Sequence, residues 1–350
     1  MSTKAYQIAV IPGDGIGRDV VAAGLEALEK VAAGSEFSLE VTEYPWSCEW
    51  YAEQGQMMPD NALDLLASAD AIYLGAVGFP GVPDHVSLWG LLLPIRQAFD
   101  QYVNLRPVRT LDGVPTPLGT DLDILLVREN TEGEYAGVGG RSREGSPDEV
   151  AIQTSVFTRR GVERIVRYGF EQAQARSGRL ASATKSNALQ YTAVLWDEVV
   201  EQVASDYPDV EVSSYLIDAL AARFISAPES LDVVVASNLF GDILADIGAA
   251  LMGSMGLAAS GNLNPAGAQP SLFEPVHGSA PDIAGQGKAN PMAAVWSAAM
   301  MLDHLGETAA ASQLMAALED VARQGVLTPD LGGNATTDEI SAAIVNALGS

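Results

Sequence analysis

Strand-like and helix-like patterns take turns along the chain. Gln7-Ile8-Ala9-Val10-Ile11 is a compact apolar run, and from Asp19 to Ala33 apolar residues return at helical spacing through Val20, Leu25, Leu28 and Val31. A second strand is predicted at Ser38 to Tyr44, a helix at Asn61 to Ala69, and a third strand at Ala71 to Gly78. Further on, Asp232-Val233-Val234-Val235-Ala236-Ser237 reads as a buried parallel strand and Ile247 to Met255 as a helix. Two helical patterns follow from Pro291 to Gly325 and a last one from Thr337 to Leu348. Such alternation predicts an α/β fold, and 350 residues with 48% hydrophobic content can bury the cores of two domains.

Between that middle strand and helix lies Asn238-Leu239-Phe240-Gly241-Asp242-Ile243-Leu244-Ala245-Asp246. If Asp242 and Asp246 are helical, their i,i+4 spacing places both carboxylates on one face, about one turn apart, where they repel unless a cation lies between them. The pair follows the carboxyl end of a strand, where α/β sheets bind ligands. The competing reading is two solvated surface acids in an acidic chain.

The formal net charge is −26, from 45 acidic residues against 19 Lys and Arg. That field excludes nucleic acid and anionic membrane as partners, and it fits a high-salt cytoplasm where self-repulsion is screened. A single cysteine, Cys48, rules out an internal disulfide and fits a reducing compartment. Met1-Ser2-Thr3-Lys4-Ala5-Tyr6 leads into a strand without a signal-peptide pattern, and the longest apolar stretches are broken by Gly, Ser or Asp, so a cytoplasmic location is expected.

Gly13-Asp14-Gly15-Ile16-Gly17-Arg18 is half of a dinucleotide fingerprint. Its third glycine comes one residue early and Arg18 occupies a small-residue position, so the expectation is a glycine turn and not a phosphate cradle. Three arginines, Arg96, Arg106 and Arg128, sit on or beside predicted regular elements. Each guanidinium can hold a carboxylate bidentately, so together they suit a small acid substrate, although any one alone reads as a surface ion pair. Lysine occurs only at positions 4, 30, 185 and 288, which singles out Lys185 in Ala183-Thr184-Lys185-Ser186-Asn187.

Taken in order, Ile11-Pro12-Gly13-Asp14-Gly15-Ile16-Gly17, Asn104-Leu105-Arg106-Pro107, Arg128-Glu129-Asn130-Thr131-Glu132-Gly133-Glu134-Tyr135, the Asn238 to Asp246 run and Glu274-Pro275-Val276-His277-Gly278-Ser279-Ala280-Pro281-Asp282-Ile283-Ala284-Gly285 resemble the metal-dependent β-decarboxylating dehydrogenases. The resemblance implies a two-domain, non-Rossmann α/β fold of the isopropylmalate/isocitrate dehydrogenase type with the cleft between the domains. It puts residues 1–102 and 256–350 in a large cofactor-binding domain and 103–255 in a small domain carrying the dimer interface. By the same resemblance Arg96, Arg106 and Arg128 bind substrate carboxylates, Tyr135 handles the proton after decarboxylation, and Lys185 helps remove the hydroxyl proton. Asp218 joins Asp242 and Asp246 as a ligand of Mg²⁺ or Mn²⁺, with K⁺ as a candidate monovalent ion. Lys185 and Asp218 would reach the site of the neighbouring subunit, making a homodimer with shared active sites.

His277, Gly278, Ser279, Ala280, Pro281, Asp282, Ile283 and Asn290 match the loop that wraps the adenosine of the cofactor. An aspartate can accept from a ribose 2′-hydroxyl but repels a 2′-phosphate, and NADP-using relatives carry lysine and tyrosine where this chain has Asp282 and Ile283, so NAD is expected. Substrate choice follows from the segment before Arg96. Isocitrate dehydrogenases carry serine and asparagine at the positions of Gly90 and Leu92, and isopropylmalate enzymes carry glutamate at that of Trp89. An indole there shrinks the pocket and excludes a branched substituent. Asp84 to Leu93 and Gln101 to Arg109 most closely resemble the tartrate and D-malate dehydrogenases, which implies oxidation of a small 2-hydroxy dicarboxylate with loss of CO₂. The rivals are a 3-isopropylmalate dehydrogenase and a non-catalytic regulatory homologue; the latter usually lacks one of the tyrosine, lysine or aspartates that are all present here.

Overall fold

The computed structural model of the chain describes residues 4–349. Met1-Ser2-Thr3, the start of the segment read as leaderless, lies outside them. The described strands are β1 (Lys4–Gly13), β2 (Phe37–Glu43), β3 (Ala71–Ala76), β4 (Val103–Arg109), β5 (Asp123–Glu129), β6 (Gly133–Ser142), β7 (Val150–Val156), β8 (Arg179–Thr184), β9 (Glu211–Leu216), β10 (Val233–Ala236), β11 (Ala259–Leu263) and β12 (Ser271–Pro275). They belong to two compact units. One holds everything up to Gln101, Arg109–Thr120 and everything from Ala249 onward; the other holds Tyr102–Val108 and Asp121–Gly248. Residues 109–120 and 249–255, grouped by sequence with the second domain, pack with the first, where Arg109 pairs with Glu319 at 2.7 Å and Gly253 abuts the Pro115 carbonyl.

In the first unit the strand order is β2-β1-β3-β12-β11. All neighbours are parallel except β11 and β12. Every residue of β3 is buried, as an interior parallel strand requires, which is why its sequence is apolar without alternation. Helices Ile16–Ala33, Met292–His304, Thr308–Arg323 and Thr337–Ala347 belong to this unit, the last opened by a capping box between Thr336 and Glu339. One core cluster joins Ile11, Trp46, Met57, Ile72 and Leu74 to Leu91, Ile95 and Phe99. It anchors the segment before and after Arg96.

The glycine turn is a joint in this unit. Gly13 and Gly15 have φ of 74° and 55°, and amides of the turn are already spent on the protein: Asp14 donates to the Ala76 carbonyl at 2.7 Å, Ile16 to the Ser279 carbonyl at 2.8 Å. Those amides are not available to a phosphate. The Asp14 carboxylate, fully buried, accepts from the Cys48 and Gly78 amides at 2.9 and 3.1 Å.

In the second unit the order is β4-β5-β10-β8-β9, with β5, β10, β8 and β9 parallel. β6 and β7 form a separate antiparallel ribbon. One expected boundary moves. The helix after β10 runs Asn238–Met252, starting nine residues before Ile247 and so containing both Asp242 and Asp246. β9 ends at Leu216, and Asp218 lies in the first turn of the helix Ile217–Ser226. No helix among the described residues is long and apolar enough to cross a membrane.

Candidate active site

Asp242 is the hub of the second unit's polar cluster. β10 delivers the chain to Ser237, and the helix begins at once because Glu134, from β6, receives its first donors: Ser237 Oγ at 3.0 Å and the Leu239 amide at 3.1 Å. A carboxylate at a helix N-terminus satisfies orphan amides and meets the positive end of the dipole. One turn on, Asp242 accepts from Arg106 Nη1 at 3.2 Å, from Arg128 Nη1, and from the Tyr135 hydroxyl at 3.2 Å. Asn238 holds Arg128 from the other side, its Oδ1 accepting from Nε at 3.0 Å and Nη2 at 2.6 Å. Gly241 makes this possible, since a Cβ there would fall 2.7 Å from the Arg128 side chain.

The two guanidiniums are buried while Asp242 keeps 37% exposure. Arg106 and Arg128 are therefore not surface ion pairs; they form a positive floor under a partly open carboxylate. The repulsion expected between Asp242 and Asp246 is present. Burial and then the Asp242 charge push the Asp246 carboxyl up, against the pull of Arg106 and Arg128. Asp246 makes no hydrogen bond among the described residues, so the pair has capacity for a hard cation. Burial, then Asp242, raises the Tyr135 hydroxyl as well, which keeps it protonated and able to donate.

Lys185 and Asp218 stand together at the carboxyl ends of β8 and β9, whose last residues Thr184 and Leu216 are in register. They form an ion pair at 2.5 Å, and the ammonium holds the Asp218 carboxyl below its ordinary range. Among the described residues no group of three His, Cys, Asp or Glu is close enough to hold a metal ion, so Asp218 does not join Asp242 and Asp246 within one chain.

The remaining predicted residues lie in the first unit. Arg96 is 4% exposed and donates to Glu274 at 2.8 Å, which also accepts from Asn262 at 2.8 Å; the Arg96 Nε has no partner among the described residues. Trp89 and Leu92 lie in a widened helical turn, Leu88–Leu92, with Trp89 41% exposed. The loop from His277 to Ile283 is held by the glycine turn through Ser279, and Ala280 sits there at φ 37°, a strained conformation for alanine of the kind found at ligand clamps. His277 Nδ1 lies 3.0 Å from the Gly278 carbonyl, and Nε2 is buried without a partner. Burial lowers its pKa, so the ring is neutral with Nε2 as an unused acceptor. That orphan fits a donor on a bound cofactor. Asp282 is exposed, whereas Asn290 is buried and occupied, donating to Asp330 at 3.0 Å and accepting from the Met292 amide.

Asn238, Glu134 and Glu274 stand inside the sequence motifs, but they hold Arg128, Leu239 and Arg96 across 110, 105 and 178 residues of sequence, so no local signal reveals their roles.

Residues 7–344 match the isocitrate/isopropylmalate dehydrogenase family. The chain is 54% identical over 357 residues to the D-malate dehydrogenase [decarboxylating] of Escherichia coli (strain K12), and 50% identical over 354 residues to the probable tartrate dehydrogenase/decarboxylase of Bacillus subtilis (strain 168); each alignment covers 99% of both proteins. A crystal structure of isocitrate dehydrogenase from Methylococcus capsulatus superposes with a TM-score of 0.89 at 35% identity, covering 99% of this chain and 100% of that one.

Proposed function

The chain belongs to the isocitrate/isopropylmalate dehydrogenase family, and we propose that it oxidises a small 2-hydroxy dicarboxylate, D-malate or tartrate, with β-decarboxylation and with NAD⁺ as acceptor. For D-malate the products are pyruvate, CO₂ and NADH. The observation that carries the reading is the convergence of two buried arginines and a protonated tyrosine on Asp242. The names of the full-length relatives favour D-malate or tartrate over 3-isopropylmalate.

Arg96, Arg106 and Arg128 bind the substrate carboxylates and, being buried in fixed positions, orient C2 at little entropic cost. Lys185 helps draw off the C2 hydroxyl proton as the neutral amine, a form it reaches when its ion pair with Asp218 opens and the ammonium gives one proton to solvent. Tyr135, kept protonated by its surroundings, delivers a proton to the carbon that has lost CO₂. Leu92, one helical turn before Arg96, limits the room for a substituent at C3, and Trp89 borders the same segment. Asp242 and Asp246 of one subunit, with Asp218 of a second, would hold Mg²⁺ or Mn²⁺, and the loop from His277 to Ile283 with Asn290 would hold NAD⁺. When bound, the cation supplies Lewis acidity at the C2 oxygen and the nicotinamide accepts the hydride.

The assembly in this reading is a homodimer built on the second unit. Val138, Val150, Ile152, Tyr191, Ile225 and Ile243 are exposed there by 46% to 80%. The β6–β7 ribbon is also too small to be stable alone. A second copy covers both.

The test is NADH formation from D-malate, L-tartrate, meso-tartrate and 3-isopropylmalate with Mn²⁺, with and without EDTA and K⁺, and with NADP⁺ in place of NAD⁺. Metal-dependent, NAD⁺-linked turnover of D-malate or a tartrate supports the reading. Preference for 3-isopropylmalate would sink the substrate assignment.

A further inference from the structure

The turn ahead of Arg96 is wider than an α-helical turn. The Leu93 amide donates to the carbonyl of Leu88, five residues back, so the segment from Asp84 to Ala98 holds one residue more than an uninterrupted helix would. Two residues cause this. Pro94 has no N–H to give Gly90, and in a regular helix its ring would clash with the Gly90 carbonyl. Gly90 in turn lets the widened turn press on Met57, whose Cγ would lie 2.5 Å from a Cβ at that position.

The extra residue changes which side chains share a face with Arg96. In a regular helix the face repeats after seven residues, about two turns, and Trp89 would stand above Arg96. With one residue inserted the repeat becomes eight, and everything before the turn is rotated by about 100°, the step of one residue. Burial follows the shifted frame. Ser87, Leu91, Ile95 and Phe99 make the buried stripe at a spacing of four, Leu88, Leu92 and Arg96 make the stripe beside it, and Trp89 is left 41% exposed.

We propose that Leu88, together with Leu92, is the specificity-determining residue on the Arg96 face, and that Trp89 is carried to its rim by the wide turn that Pro94 and Gly90 create. This rests on the function proposed above and names the side chain that meets the substituent at C3. Pro94 and Gly90 are positioning residues.

The experiment compares kcat/KM for D-malate and for 3-isopropylmalate in the wild type, Leu88→Ala, Trp89→Ala, Pro94→Ala and the double variant Pro94→Ala/Trp89→Ala. Shortening Leu88 should move the ratio toward 3-isopropylmalate by about tenfold or more, the effect of opening an apolar pocket by a few carbons, while Trp89→Ala moves it by less than about threefold. Restoring a donor with Pro94→Ala should bring Trp89 into the frame, so that in this background Trp89→Ala gives the large shift. If Leu88→Ala does not fold, Leu88→Val should give the same shift, smaller. A ratio that follows Trp89 in the wild-type background, or neither residue, overturns the inference and leaves the enzyme assignment intact. A wild type that oxidises neither D-malate, a tartrate nor 3-isopropylmalate overturns both.

Discussion

Glu129, next to Arg128, is a carboxyl at 2% exposure whose pKa burial pushes up to about 7, although the amides of Thr131 and Glu132 and the Thr131 hydroxyl favour its charged form. Its pKa is raised relative to the unfolded chain, so the native state binds more protons between roughly pH 4.5 and 7. This residue therefore costs stability as pH rises through that window, and the cost is complete above it. Denaturant midpoints at pH 5 and 8, at one protein concentration, should show the wild type losing roughly 2–4 kcal/mol more than Glu129→Gln over that range. Equal losses would show that Glu129 is ionised throughout. Asn238 belongs to the same neighbourhood with an opposite role, as acceptor for two N–H groups of Arg128. Asn238→Ala should lower kcat/KM roughly 10- to 100-fold, the scale of a lost hydrogen bond to a charged group, chiefly through KM because the carboxylate clamp loosens. A loss confined to kcat would mean that Arg128 keeps its place without Asn238.

The helix Asn238–Met252 shows how one element's support can come from far away. Glu134 caps it across more than a hundred residues of sequence. Glu134→Ala should cost about 1–2 kcal/mol of stability, the usual range for a lost cap aided by the dipole. It should also weaken Mn²⁺ binding measured by calorimetry, because Asp242 and Asp246 ride on that helix. Unchanged Mn²⁺ affinity would count against the aspartate pair as ligands. The distinction between near and far also explains what could be read from the chain. The i,i+4 pair was legible because helical spacing is local, and β3 and β10 because an all-apolar run bounded by polar residues is local too. The start of the helix was not, since Glu134, which completes it, lies on another strand. Nor was the wide turn before Arg96: Leu88 to Leu93 is apolar at nearly every position, so its periodicity cannot report a register shift. Glu274, the partner of Arg96, is 178 residues away, and only the folded chain brings the two together.

At the scale of the molecule, a net charge of −26 makes compactness depend on screening. The Debye length falls from about 10 Å at 0.1 M salt to about 3 Å at 1 M, so the denaturant midpoint should rise with NaCl and KCl alike, while a K⁺ requirement of the site would separate the two salts in activity only. The second question at this scale is the proposed division of the site between subunits, and it has a test that no single-chain arrangement can imitate. Asp218 and Lys185 pair with each other away from Asp242 and Asp246. In the proposed dimer each site therefore takes Asp242, Asp246 and Tyr135 from one chain and Lys185 and Asp218 from the other. Lys185→Ala and Asp242→Ala should each be inactive as pure dimers. Mixed, dissociated and reassociated at equal amounts, half of the dimers are hybrids, and each hybrid regains one intact site of its two, so about a quarter of wild-type activity returns. If the site were complete within one chain, every hybrid site would still carry a lesion and mixing would restore nothing.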